Sequence, residues 1–378
     1  MTRSLQLQIG ILALVFILLY LGLTPFSFYP QNRVNRIASG PGLAFEGRGL
    51  IYSEGPVIWD EAARHGLSIH LLLEPGLDSA GGFGALLSID DGESQPPLVI
   101  AQWKDWLIVR VRKPKDEGRR SYWEIGAEGA LITSEPSLVS IVSNLKLGTQ
   151  IFVDGELGHQ SVRPIAQVDG HFGGRLIFGS LRDGSGGWTG MLRGLSIYGE
   201  ALDAVEVAAD AARVTAEGFA ALDQRPSELA FYAFDEGNRN FAVNRSKSSQ
   251  AGQLVIPEVF APLAPRILDF PAQRALRAGW FIRDGLKNLL GFIPLGFLVV
   301  LLLIERDQIG DRTAVGLALL LGGCLSLGIE LVQILLPMRN SSFVDLILNV
   351  FGTGLGAVAA LWLTRLVPRS GARRQPTL

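Results

Sequence analysis

Apolar residues are distributed along this chain in two different ways. Four stretches, 9–28, 286–304, 314–336 and 343–366, each approach the roughly 20 mostly apolar residues that a helix needs to cross a bilayer. Between the first and second stretch the apolar residues come instead in short runs, among them LSIHLLLEPG, LVIAQW, WLIVRVRK, SLVSIVSN, TQIFVDGE and GRLIFGS, broken by Gly, Pro, Asp and Asn. Strand-length runs with turn signals between them predict an antiparallel β-sandwich. Several runs are apolar on both faces, as expected of strands lying between two packed sheets. Within this region 202–222 is rich in Ala, Glu and Val and predicts an amphipathic helix. The expected organisation is therefore an N-terminal membrane helix (1–29), a sandwich domain (30–280), a three-helix membrane block (281–368) and a basic tail (369–378).

Composition agrees with this division. The mean hydropathy of +0.29 is high for a globular chain, and the surplus sits in the four long stretches. With 34 basic and 36 acidic residues the chain has no positive excess to attract nucleic acid. A single cysteine, Cys324, excludes disulfides within the chain. The first stretch follows Arg3 as a signal peptide would, but its apolar core is long for one. It runs into Phe26, Phe28 and Tyr29 without a small-x-small cleavage site. Aromatics there fit an interfacial belt.

The tail after the last stretch carries Arg365, Arg369, Arg373 and Arg374 and no acid, which the positive-inside rule assigns to the cytoplasm. Four spans then put the N-terminus on the same side and the sandwich on the extracytoplasmic side of a cell (inner) membrane. Arg274, Arg277, Arg283 and Lys287 at the outer end of the second span oppose this orientation, but long translocated domains largely escape the rule.

Polar residues inside the spans are costly, a charged one by roughly 2.5–3.5 kcal/mol at a helix centre, and here they are patterned. Ser326, Glu330, Gln333 and Pro337 share one helical face, as do Asp345, Asn349, Gly352 and Gly356. Lys287 and Asn288 open the second span. At about 1.5 Å per residue, alternating span direction brings Lys287, Asn288, Glu330, Gln333, Asp345 and Asn349 within about 10–12 Å of one membrane boundary. Arg339 and Ser342 belong to the tight turn above them. The cluster keeps the side of the sandwich domain whichever way the protein is inserted.

These residues resemble the VanZ family, whose pattern is met by Asn288 with Pro294 and Gly296, by Ser326, Glu330 and Gln333, and by Arg339, Ser342, Asp345, Asn349 and Gly352. Tyr20 and Pro25 look like part of that family's first span. In the soluble region Gln150-Ile151-Phe152-Val153-Asp154-Gly155-Glu156, the run 174–179 and the run 188–202 resemble strands of laminin-G-like, concanavalin A-like jelly rolls. The segment 229–256 is similar to their opening strand and is read as extra strands at a sandwich edge. Together the resemblances imply a mixed fold: four transmembrane α-helices of VanZ type with an extracytoplasmic jelly-roll β-sandwich. They also imply glycan binding and a link to teicoplanin resistance; Asp183 in the Gly-rich loop 183–187 is a candidate calcium ligand, although loops of this composition are more often simply turns.

Laminarinase-type relatives carry two strand-borne carboxylates about 5 Å apart. Asp60-Glu61 and Asp235-Glu236 are adjacent in sequence, so on a strand they point to opposite faces, and a glycosidase is disfavoured. His65, His70, His159 and His171 are scattered and read as surface or structural. Three readings of the membrane cluster remain open: a scaffold in which Glu330 and Asp345 pair with Lys287 and Arg339, a non-enzymatic binding site for a lipid-linked glycan or surface polysaccharide, and an intramembrane enzyme using Glu330 or Asp345 as general base.

Overall fold

The computed structural model describes residues 2–366 apart from 59–65, 77–81, 94, 114–121, 133–134, 166–172, 223–224, 238, 248–250, 265–266, 271–278, 306–308, 338 and 340. Asp60, Glu61, His65, His171, Arg274, Arg277 and the tail arginines Arg369, Arg373 and Arg374 lie outside the described residues. The chain forms two compact units: Pro30–Ala264, and Met1–Tyr29 together with Pro265–Leu378.

The first unit is an antiparallel β-sandwich. One sheet runs β1 (Val34–Arg36), β2 (Leu43–Glu46), β13 (Thr189–Tyr198), β4 (Leu67–Pro75), β9 (Ser137–Asn144), β10 (Gly148–Val153) and β11 (Glu156–Ser161), with β14 (Glu228–Tyr232) also paired to β13. The other runs β15 (Phe241–Ala242), β16 (Leu254–Val255), β3 (Ile51–Ile58), β12 (Gly173–Phe178), β5 (Phe83–Asp90), β6 (Leu98–Trp103), β7 (Trp106–Arg112) and β8 (Tyr122–Ala127). Their inner faces share one core that includes Phe45, Leu71, Ile141 and Leu195 from the first sheet and Leu87, Ile100, Val109 and Phe178 from the second. The segment 229–256 does supply strands at the sandwich margin: β16 pairs with β3, and β15 is the edge.

Helix α2 (Ala204–Glu217) forms where the sequence predicts it and begins with a capping box. Asp203 accepts from the N–H groups of Val205 and Glu206, while the Glu206 carboxylate accepts from the Asp203 N–H. It lies on the outer face of the first sheet. Val207, Ala211 and Val214 pack there on Leu138, Val142, Phe152, Tyr198 and Phe231. Strands β4 and β9 are thus covered on both faces, which is why they read as unbroken apolar runs.

The second unit holds four helices long and apolar enough to cross a membrane: α1 (Arg3–Leu23), α3 (Gly279–Glu305), α4 (Asp311–Ile334) and α5 (Phe343–Leu366). Helix α1 stops earlier than its apolar stretch does. The Thr24 N–H bonds back to the Tyr20 carbonyl, and Pro25, which has no N–H and disfavours helix before it, closes the element. Phe292, Leu295, Val300, Ala318, Ala357 and Ala360 form the interior. Outward-facing Phe16, Tyr20, Leu320, Phe351 and Trp362 are exposed, as suits an apolar solvent. Helices α3 and α5 meet backbone to backbone: a side chain at Gly352 would collide with the Leu289 carbonyl, and one at Gly356 with the Ile293 carbonyl.

Candidate functional site

The polar residues of the helical unit gather where α1 and α4 end and α3 and α5 begin. Glu330, 2% exposed, comes from the last turns of α4. Its Oε2 accepts from the Ser342 N–H at 2.7 Å, and the Ser342 hydroxyl accepts from the Asp345 N–H at 3.3 Å. Ser342 thus serves as the N-cap of α5, one of the positions where a helix has donors to spare. The Glu330 carboxyl also sits at the positive end of that helix.

Gln333 and Arg339 converge on the carbonyl of Gly22. Gln333 Nε2 donates to it at 2.7 Å, Arg339 Nη2 at 2.7 Å and Arg339 Nε at 3.1 Å. That oxygen is one of those a helix C-terminus leaves without an intrahelical donor, so the two side chains fasten the end of α1 to α4 and the following turn. Deeper in the unit, Asn349 Nδ2 donates to the Ser326 hydroxyl at 2.9 Å and joins α5 to α4. Asp345 faces the Asn288 amide and the charges of Asp284 and Arg339. Two buried acceptors, Gln333 Oε1 and Asn349 Oδ1, have no hydrogen-bond partner among the described residues.

The structure therefore brings together Asn288, Ser326, Glu330, Gln333, Arg339, Ser342, Asp345 and Asn349. Lys287 does not join them. It is exposed and bonds Asp284 at 2.8 Å, an i, i+3 neighbour on its own helix. The long lysine reaches outward rather than into the unit. Among the described residues neither Glu330 nor Asp345 has a Lys or Arg ion pair, because Arg339 spends its donors on α1.

Gly22, Ser341 and the segment 268–269 give no motif signal. Gly22 contributes a backbone oxygen, which no sequence pattern marks. Ser341, 1% exposed, accepts from the N–H groups of Leu268 through its hydroxyl (3.2 Å) and of Asp269 through its carbonyl (2.9 Å). The Phe343 N–H in turn donates to the Asp269 carbonyl at 3.1 Å, so segment 268–269 is strapped to the α4–α5 turn.

In the sandwich, Asp183 closes its own loop, with Oδ1 accepting from the N–H and hydroxyl of Ser185 at 2.9 and 2.6 Å. Calcium takes six to eight oxygens. No group of three or more His, Cys, Asp or Glu among the described residues is placed to hold a metal ion. His70 is structural. Its Nε2 lies 3.2 Å from Asp210 Oδ2, which also accepts from Arg225 Nη2 at 2.9 Å. Burial pushes Asp210 upward, but the bonds from His70 and Arg225 outweigh it and hold the carboxyl below its usual range. Glu228, buried in β14, is pushed up to about 7 by desolvation.

Residues 230–364 match the VanZ/LLP1 family model, about a third of the chain, beginning within β14 and leaving out α1. No curated protein matches the chain by sequence. Among solved structures, a Bacteroides ovatus protein provisionally assigned to carbohydrate binding is similar at 13% identity and TM-score 0.40, over 60% of this chain and 61% of that one. The CBM40 module of Ruminococcus gnavus IT-sialidase bound to α2,3-sialyllactose aligns at 14% identity and TM-score 0.33, over 45% of this chain and 95% of that one. The binding domain of botulinum neurotoxin DC in complex with rat synaptotagmin II aligns at 13% identity and TM-score 0.35, over 49% of this chain and 46% of that one.

Proposed function

Starting from the match of its C-terminal helices to the VanZ/LLP1 model, we propose that this multi-pass membrane protein binds a glycan or glycan-lipid of the cell envelope without catalysing a reaction. The sandwich lies on the extracytoplasmic side of the cell membrane. It engages a cell-wall or surface polysaccharide, while the polar cluster meets its lipid-linked precursor among the membrane lipids. The teicoplanin link implied by the family resemblance would follow from occupying such a precursor. The observation that carries this reading is the set of acceptors at one end of the helical unit: Glu330, 2% exposed and among the described residues without a cationic partner, beside the unpartnered Gln333 Oε1 and Asn349 Oδ1. Buried acceptors call for donors, and the hydroxyls of a glycan head group are donors. Glu330→Gln and Asp345→Asn are expected to accumulate normally in membranes and to lose retention of a lipid-linked glycan. Unchanged retention in both variants would remove the cluster from the binding site.

A second reading is favoured by the bonds themselves. Gln333 and Arg339 tie down α1, Glu330 completes the cap of α5, and Asn349 links two helices. In a pure scaffold of this kind both variants lower the amount of folded protein and affect binding only to that extent. Turnover of a purified lipid-linked substrate, lost in the same variants, would instead establish the enzyme alternative with Glu330 or Asp345 as general base.

A further inference from the structure

The second sheet presents an aromatic row that the sandwich core does not use. Strands alternate their side chains. Ile100 and Gln102 of β6 and Leu107 and Val109 of β7 turn inward, so Trp103, Trp106 and Arg110 turn outward. Cross-strand register then lines up Phe83, Trp103 and Trp106 over three strands. Trp103 is 44% exposed and meets Trp106 edge to face at 6.4 Å between centroids. Trp106 in turn lies over β8 at Gly126, where even a Cβ would come within 2.9 Å of its ring. Phe83 and Trp106 are partly buried against Ala85, Val99, Ala101 and Ile108, so the row has a seated base with Trp103 standing open to solvent, and an exposed tryptophan on such a base points to a ligand.

The row is built rather than incidental. Its hairpin turn places Lys104 at φ 57°, a left-handed conformation uncommon for a lysine. The turn is held from the core. Gln102, 3% exposed, donates to the Lys104 carbonyl at 2.8 Å and accepts from Nε1 of the buried Trp188 at 2.8 Å. A chain of two hydrogen bonds thus fixes the turn and with it the angle of Trp103. Strain of this kind is commonly held at functional sites.

The border of the row decides what it fits. Lys104 and Asp105 are neighbours in the turn. Arg110 stands 3.9 Å over the Phe83 ring and bonds Glu124 at 2.8 Å. Charges there come in opposite pairs, so the surface carries no net sign to draw a polyanion or an anionic bilayer. It offers the exposed ring of Trp103, with Lys104 Nζ 5.0 Å from its centroid, flanked by donors and acceptors. A pyranose has the complementary make-up, a C–H face to lay on an indole and hydroxyls that both donate and accept.

We infer that the Phe83–Trp103–Trp106 row is a stacking platform for a neutral glycan, which rests on the glycan-binding function proposed above and names the sandwich surface that performs it. The test uses the full chain in detergent micelles, run in native gels containing dextran, β-1,3-glucan, mannan or galactan, with polygalacturonate, hyaluronan and anionic phospholipid vesicles as competitors. The expected result is retardation by at least one neutral polysaccharide. Trp103→Ala should weaken it about tenfold or more, as loss of an anchoring aromatic does, and Trp103→Phe less. Arg110→Ala, which leaves the core untouched, should weaken it as well, with melting temperature unchanged in all three. Retardation that survives both alanine variants would overturn the platform and leave glycan binding standing elsewhere. Preference for the acidic polymers or the vesicles would overturn the neutral assignment. Absence of retardation by every neutral polysaccharide would overturn platform and glycan binding together, and the Glu330→Gln assay on a lipid-linked glycan would then report on the membrane cluster alone.

Discussion

Deleting Arg339 and Gln333, singly and together, probes the joint at the end of α1. Their shared acceptor, the Gly22 carbonyl, receives donors at 2.7, 2.7 and 3.1 Å. Gln333→Ala removes one neutral bond, worth about 0.5–1.5 kcal/mol, and Arg339→Ala removes a charge-assisted pair, worth about 1.5–3 kcal/mol. After either change one donor side chain still covers the oxygen. The double variant leaves it bare at the membrane boundary and adds the cost of an unsatisfied group, roughly 1–3 kcal/mol. The double loss should therefore exceed the sum of the single losses by about 1 kcal/mol or more, a coupling that residues without a common partner do not show. Equilibrium unfolding of the full chain in mixed micelles, followed by far-UV circular dichroism, measures all four species. Additivity within about 0.5 kcal/mol would mean that the carbonyl finds another donor, and the reasoning that makes this joint a shared-acceptor clamp would fail.

Two further outcomes follow from the packing. Gly352→Leu drives a side chain into the Leu289 carbonyl and should cost about 3 kcal/mol or more, collapsing the monodisperse peak in size-exclusion chromatography. Gly354→Leu, where a Cβ meets only a leucine methyl at 3.4 Å, should leave the peak intact. Glu228 has a folded pKa raised from 4.5 to about 7 by burial, so its contribution to stability is complete below pH 4.5 and is lost as pH rises through 7. Glu228→Gln should raise the melting temperature at pH 8, by an effect on the order of 2–3 kcal/mol, and leave it unchanged at pH 4; equal shifts at both values would refute the assignment.

The sequence carried the helical faces well, because i, i+4 and i+7 spacing determines which residues share a side of a helix whatever surrounds it. Ser326, Glu330 and Gln333 are all buried on one face of α4 for that reason. Spacing says nothing about which neighbour a flexible side chain prefers. Lys287 was expected beside Glu330 or Asp345 and instead bonds Asp284, since a lysine near a boundary reaches water more cheaply than it enters the unit. Sheet-on-sheet packing accounts for only one apolar face of the runs at β4 and β9. Helix α2 on their other face is half of the cause. LVIAQW and WLIVRVRK were legible as strands, but the exposure of Trp103 depends on a turn anchored from Trp188, far along the chain. The strap of 268–269 on Ser341 is backbone pairing between segments with no pattern in common, and only the folded chain reveals it.

The fastening of α1 is lopsided. At one end Gly22 is clasped by the buried Gln333 and the half-buried Arg339, and Ile329 packs so tightly against it that an added methyl would crowd the contact at 2.9 Å. At the other end its ion pair is Arg3 with Glu305 at 3.7 Å, largely exposed, a kind of contact worth about 0–1 kcal/mol. Leu18 is the only fully buried side chain of the helix among the described residues. A helix held this way has its buried polar fastening at one end and apolar packing, through Ile11, Leu14 and Val15, toward the other. Fraying of α1 is therefore expected to start at the Arg3 end, with the Gly22 end the last to part.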